Sequence, residues 1–291
     1  MLERSMSSNS IDAYLNDVTK LHKFSESHLG NKSANNIMRE DLLQFFAFMH
    51  EVGLSPVSLA RIISGIKTFY KFLVLDDEIK VSPAELIEGP KIGRHLPSVL
   101  DVHEIETVLK VIDMSTPEGI RNNAIIEVLY GCGLRVSELV DLKLSNLFLN
   151  EEYIKVVGKG NKERLVPIGS HALKAIEQYF MHVRNKMKIK KGNEDMIFLN
   201  RRGSKLTRVM IFTILKNLVK LAGISKTVSP HTLRHSFATH LIEGGADLRV
   251  VQDLLGHESI ITTEIYTHLD KAYLAATLIQ FHPRSGSRIN K

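Results

Sequence analysis

The segment Glu88-Gly89-Pro90-Lys91-Ile92-Gly93-Arg94-His95-Leu96-Pro97 constrains this chain more than any other. Its two prolines remove backbone donors and its two glycines loosen the backbone, so neither a helix nor a paired strand continues through it. It holds few apolar side chains to bury and reads as an extended linker. The linker cuts 291 residues into two folding units, the number that this length favours. Charge supports the cut. Residues 1–90 hold 9 Lys+Arg against 12 Asp+Glu, and the remainder of the chain's 38 and 32 lies beyond them.

The net charge of +6 says little by itself, because many proteins are mildly basic. Its placement says more. Residues 184–226 carry 12 basic and 2 acidic side chains, which is either a solvated surface or the electrostatic footprint of nucleic-acid binding. One cysteine, Cys132, excludes an internal disulfide framework and any multi-cysteine zinc site. No apolar run approaches the roughly 18 residues of a membrane helix. The start, MLERSMSSNS, lacks the apolar core of a signal peptide. The expectation is a soluble cytoplasmic protein with no membrane partner.

Before the linker the periodicity is helical. Ser10 is a candidate cap for a helix with Ile11, Tyr14, Leu15, Val18 and Leu21 on one face. Residues 40–52 repeat the pattern with Leu42, Leu43, Phe45, Phe46 and Met49. Ser55-Pro56 opens a third helix, since proline is tolerated in a first turn; its stripe is Leu59, Ile62, Ile63, Ile66, Phe69, Tyr70 and Leu73. Such helices with short connections make a small bundle.

Beyond the linker the pattern is mixed. Asp101 and Glu104 have capping-box spacing ahead of Val102, Ile105, Val108, Leu109 and Ile112. An apolar helix over 121–130 stops at Gly131-Cys132-Gly133, and a short helix follows Arg135. Two β-prone runs, 153–157 and 164–168, flank Gly158-Lys159-Gly160-Asn161-Lys162 and predict a hairpin. Helices are expected at 171–188, 207–222, 230–243, 248–255 and 271–280, with one short strand at 196–200.

Four features bear on chemistry. Arg135 follows a glycine-rich break at a helix start, where a guanidinium reaches an anion bidentately. Lys159 stands between two glycines on the hairpin turn. In Ser229-Pro230-His231-Thr232-Leu233-Arg234-His235, serine and proline make a helix start that puts His231 and Arg234 on one face. Gly256 reads as the residue ending a helix, with His257 just past it and Tyr266 nine residues further on. Singly, each has an ordinary structural explanation. Together they supply cations, a proton carrier and a nucleophile, the set needed to attack a phosphodiester without a metal.

The stretches GCGLRVSELVDL, VVGKGNKERLVPIG, SPHTLRHSFATHLIEGGADLRVVQDLLGH and TTEIYTHLD closely resemble those of the tyrosine recombinases (phage integrase family), most closely the XerC/XerD branch. The helical first domain, with SMSSNSIDAYLNDVTKL and SPVSLARIISGIKTFYKFL, fits as well. The resemblance implies a mainly α fold with a small β-sheet: a helical, SAM-like core-binding domain over 1–90, a linker over 91–100 and a catalytic domain over 101–291. It implies that Tyr266 is the nucleophile, giving a 3′-phosphotyrosyl link and a free 5′-hydroxyl. Arg135 and Arg234 would clamp the phosphate, His231 would serve as base, Lys159 would protonate the leaving oxygen, and His257 would support the transition state. No cofactor is implied, because the phosphotyrosine conserves the backbone bond energy.

The resemblance further implies a homo- or hetero-tetramer with a paralogous recombinase on two synapsed sites of double-stranded DNA. Two domains would grip the duplex, and a C-terminal helix at 271–281 either docks on a neighbour or folds back. A septal DNA translocase would act as activator, and the task would be resolving chromosome dimers at a dif-like site. Arg201, Arg202, Lys205 and Arg208 are expected DNA contacts, and Arg61, Lys67 and Lys71 a local basic face in the first domain. The alternatives are a mobile-element integrase, many of which carry an extra domain before these helices; a type IB topoisomerase-like enzyme; a metallohydrolase using His231 and His235, which lacks the glutamate of HExxH; and a non-catalytic DNA-binding module.

Overall fold

The structure is a computed structural model and describes residues 8–90, 98–158, 162–256 and 268–286. The chain divides into two compact units, 1–95 and 96–291.

In the first unit, α1 (Ser8–His28), α2 (Arg39–Glu51) and α3 (Pro56–Leu75) surround a core that includes Leu42, Phe45, Ile62, Ile66 and Tyr70. Ser55 caps α3, accepting from the Ser58 amide at 3.3 Å, with Pro56 in the first turn. Helix α1 departs from the expected pattern. It begins at Ser8, so Ser10 lies inside it, and Ile11 and Leu15 are exposed. Leu21 and Phe24 reach the core, and beside them Asp17 turns inward and accepts both terminal nitrogens of Arg61 at 2.6 and 2.7 Å. An ion pair therefore replaces part of the apolar stripe. Arg61 is committed to that pair, and Lys67 donates to the Glu85 carbonyl at 3.2 Å, so neither extends a free basic face.

In the second unit, α4 (Val102–Lys110) starts with the Asp101–Glu104 capping box. Helix α5 (Pro117–Gly131) is its axis. Ala124, Ile125, Ile126, Val128, Leu129 and Tyr130 are fully buried, and Arg121 and Glu127 are buried with them, so other elements surround the helix. It packs on α7 (Ser170–His182) and α9 (Pro230–Gly244). The short α6 (Val136–Val140) follows. The hairpin forms from β2 (Tyr153–Val157) and β3 (Glu163–Pro167), joined by an outer strand β1 (Leu147–Phe148) in an antiparallel sheet ordered β1-β2-β3. Ile154 pairs with Val166 and Val156 with Arg164, all four on the buried face. The strand expected at 196–200 is only two isolated bridges, Lys143 with Met196 and Leu199 with Lys205, because no long partner strand lies beside it.

Helix α8 (Arg208–Leu221), α10 (Leu248–Leu255) and α11 (His268–Phe281) complete the unit. Helix α11 folds back on β3, α9 and α10 of its own chain. Its buried face is Leu274, Thr277 and Leu278, whereas Ala272 and Ile279 are exposed. Arg284 beyond it is paired with Glu127 of α5. Among the described residues, no helix is long and apolar enough to cross a membrane.

Candidate active site

Arg135 is the last residue before α6, with extended backbone angles. Its amide donates to Glu138 Oε2 at 2.8 Å and its Nη1 to Glu138 Oε1 at 2.9 Å. Arg164 reaches the same carboxylate from the buried face of β3. Its two terminal nitrogens fork onto Oε1 and Oε2 at 2.8 and 2.9 Å. Arg234, on α9, stands 3.9 Å from Oε2. Three guanidinium groups thus surround one carboxylate.

The same arginines are gathered by the end of α10. Arg164 Nε donates to the Leu254 carbonyl at 3.3 Å, Arg234 Nη2 to that of Leu255 at 2.5 Å, and Arg135 Nη2 to that of Gly256 at 3.4 Å. The last carbonyls of a helix lack partners within it and carry its negative dipole end. Here three consecutive ones are each met by a different cation. Arg234 Nη1 also donates to the Gly133 carbonyl at 2.6 Å.

Two glycines make this close assembly possible. Gly133 has φ +58°, and a Cβ there would lie 2.5 Å from the Phe237 ring. Gly256 has φ +64°, and its Cβ would lie 2.8 Å from Arg164 Cδ. A side chain at either position is strained in backbone and obstructed in space.

The electrostatics are lopsided. Burial alone would raise the Glu138 pKa, but the hydrogen bonds and charges of Arg164 and Arg135 outweigh it and hold the carboxyl below its usual range. Burial, reinforced by the charge of Arg135 and only partly offset by Glu138, brings Arg234 down to about 10, still protonated at neutral pH. The Glu138, Arg164 and Arg234 side chains are 2%, 8% and 10% exposed, whereas Arg135 is 36% exposed. Arg135 is therefore the cation that the cluster presents to solvent. Nearby Cys132 is fully buried and its thiol is pushed up to about 12, so it stays protonated.

Arg135 and Arg234 are thus brought to one carboxylate. His231 sits in the first turn of α9, after the Ser229 cap and Pro230, and its side chain is exposed. Lys159, His257 and Tyr266 lie outside the described residues; at the ends of β2 and β3 the Gly158 amide donates to the Lys162 carbonyl at 2.7 Å. Arg201, Arg202 and Arg208 are exposed, but Lys205 is ion-paired with Asp141. Two other members of the basic stretch are also engaged. Arg184 is buried against the carbonyls of Glu194, Met196 and Ile197, and Lys226 pairs with Glu104.

Sequence reasoning left Glu138 and Arg164 without a role. Both carried a signal. Glu138 stands three residues after Arg135, at capping-box spacing. Arg164 alternates in register with Val166, which puts it on the inward face of its strand. Among the described residues, no three His, Cys, Asp or Glu side chains come together as a metal site.

The phage integrase family model matches residues 98–272, and the phage integrase N-terminal SAM-like domain model matches residues 1–76. Tyrosine recombinase XerD of Listeria monocytogenes serotype 4b (strain F2365) is 44% identical over 285 residues, covering 98% of this chain and 96% of that protein. The crystal structure of the XerH site-specific recombinase bound to a palindromic difH substrate, a post-cleavage complex, is 28% identical, with TM-score 0.71 over 95% of this chain and 81% of that one. The XerA recombinase structure is 33% identical, with TM-score 0.52 over 96% and 94%. The chain belongs to the tyrosine recombinases of the phage integrase family, and its activity is site-specific DNA recombination.

Proposed function

We propose that the arginine cluster around Glu138 binds the scissile phosphate of double-stranded DNA and that Tyr266 attacks it. The phosphotyrosyl bond forms at the 3′ side as the bond to the 5′-oxygen breaks. Arg135 and Arg234 neutralise the non-bridging oxygens as negative charge grows on them. A free tyrosine has a pKa of about 10, so the nucleophile needs a base or a strong positive field at neutral pH. His231, exposed at the start of α9, takes its proton. Lys159 gives a proton to the leaving 5′-oxygen, and His257 hydrogen-bonds the phosphate. The observation that carries this reading is the charge surplus: three guanidinium groups around one carboxylate, with Arg135 left open to solvent.

Arg201, Arg202 and Arg208 hold the duplex through its backbone phosphates. Lys205 adds less, because Asp141 already occupies it. The catalytic domain extends over 101–291, the core-binding domain over 1–90 and the linker over 91–100. The protein acts in the cytoplasm as a tetramer on two synapsed sites, alone or with a paralogue, under a septal DNA translocase. Its task is to resolve chromosome dimers at a dif-like site, a reading supported by its likeness to proteins named XerD.

The test is a duplex carrying a dif-like site with a nick beside the cleavage position. Wild type is expected to leave a covalent protein–DNA band on a denaturing gel. Tyr266→Phe is expected to bind the duplex and leave none. An adduct from Tyr266→Phe overturns the nucleophile assignment, and no adduct from wild type on its site overturns the mechanism.

A further inference from the structure

Glu138 is buried beyond the reach of bulk water, so its charge is answered by protein groups alone. Both of its oxygens are taken by the Arg164 fork. The Arg135 guanidinium shares only Oε1, through one terminal nitrogen, while the Arg135 amide donates to Oε2; the other guanidinium contact, to Gly256, is long at 3.4 Å. Without the fork, the nearest guanidinium would be that of Arg135, since Arg234 stands 3.9 Å away. The carboxylate would then chelate Arg135 with both oxygens and draw it inward. Arg164 also holds the end of α10, through the Leu254 carbonyl and the bare face of Gly256.

We infer that Arg164 is a positioning residue for the cleavage step. It saturates Glu138, so that Glu138 orients Arg135 without consuming it, and it fixes the end of α10 to the same point. Arg164 need not touch the phosphate; it acts through Glu138 and the α10 carbonyls. This inference rests on the reading of the cluster as the phosphate site.

The experiment measures adduct formation in a single turnover on the nicked dif-like duplex, beside duplex affinity and thermal melting. Arg164→Met is expected to slow the adduct about 100-fold and to change affinity less than about threefold, the range for losing a group that orients a ligand-binding side chain. Arg164→Lys keeps the charge but not the fork and is expected to slow it about tenfold. The deciding arm is the double variant Glu138→Gln with Arg164→Met. Removing the carboxylate that now captures Arg135 is expected to recover at least about tenfold over Arg164→Met, a coupling that a merely structural arginine does not produce.

An Arg164→Met rate near wild type overturns the inference, as does a double variant no faster than the single one. If Arg164→Met does not fold, Arg164→Lys decides, and a wild-type rate there overturns it. Failure of the wild type to form any adduct overturns the phosphate-site reading and this inference with it. A normal wild type beside unaffected Arg164 variants overturns this inference alone.

Discussion

Each unit buries a carboxylate against arginine, and the two are built differently. Asp17 in the helical unit is fully buried and receives one forked guanidinium, that of Arg61, whose far side reaches solvent, with the Lys20 ammonium 3.7 Å away. The Arg61 pair braces α1 against α3. Glu138 in the second unit receives a fork from Arg164, a single bond from Arg135 and the nearby charge of Arg234. Burial and ion pairing are common to both, so neither marks a functional site. The surplus does. The second cation at Asp17 is a half-exposed ammonium that solvent screens, whereas three guanidinium groups on one buried anion await another negative group.

That contrast breaks most sharply by removing one arginine from each place. Arg234→Ala is expected to slow adduct formation about 10²–10³-fold, the usual loss for one preorganised group facing transition-state charge. Arg61→Ala leaves Asp17 buried with only the Lys20 ammonium, 3.7 Å away, and is expected to cost about 3 kcal/mol of stability, the low end for breaking a buried pair. Its folded molecules are expected to cleave within about threefold of wild type, because Arg61 belongs to a brace rather than a surplus. Denaturant melts and single-turnover cleavage on the same preparations separate the two effects. If Arg61→Ala slows cleavage as strongly as Arg234→Ala, charge surplus does not distinguish the regions.

The difference also governs what was legible in the sequence. Helices α2 to α10 follow from periodicity, caps and the Gly133 and Gly256 stops, because those signals are local. The apolar face read for α1 held at Leu21 and Val18 but not at Ile11 and Leu15; Asp17 turns inward with them because it finds Arg61 forty-four residues away, a pairing no local pattern contains. Arg135, His231 and Arg234 stood out by type and position. Glu138 and Arg164 did not, because their work is to orient another side chain, and that depends on β3 and α10 meeting in space. The basic stretch was visible as composition, but composition does not separate Arg202, which is exposed, from Arg184, which is buried among carbonyls. The length of α11 was legible and its inward face was not, since that face is set by the surface it covers.

A third buried group lies at the opposite extreme, with no counter-charge. His282 is packed against Tyr130 and Phe237, and its Nε2 finds no hydrogen-bond partner among the described residues. Burial, aided by the positive surroundings of His240, Arg284 and His171, brings it down to about 3. A lowered histidine pKa means that the unfolded chain binds the proton first. Stability from this group is complete above about 6.5 and is lost as pH falls toward 3, by about 1.4 kcal/mol per pH unit within that window. Wild type is expected to weaken between pH 7 and pH 5 in urea melts by roughly 2 kcal/mol more than His282→Gln. Equal losses would place the acid sensitivity elsewhere.

The smallest effect tests the same idea of surplus on the surface proposed to hold DNA. Arg201 and Arg202 line a shallow concavity with Lys188 and Lys190, without a carboxylate among its lining residues. Lys205, close in sequence, is engaged by Asp141. A cation that neutralises a phosphate releases a counterion, and each such contact contributes about 0.9 to the slope of log affinity against log salt. Arg202→Ala is expected to reduce that slope by about 0.9. Lys205→Ala is expected to reduce it by less than half as much, because binding DNA through Lys205 first requires giving up Asp141, which returns much of the gain. Salt titrations of both variants on one duplex resolve the difference. Equal slopes would mean that an exposed ion pair gives way to phosphate freely, and that only buried pairing decides which cations are available.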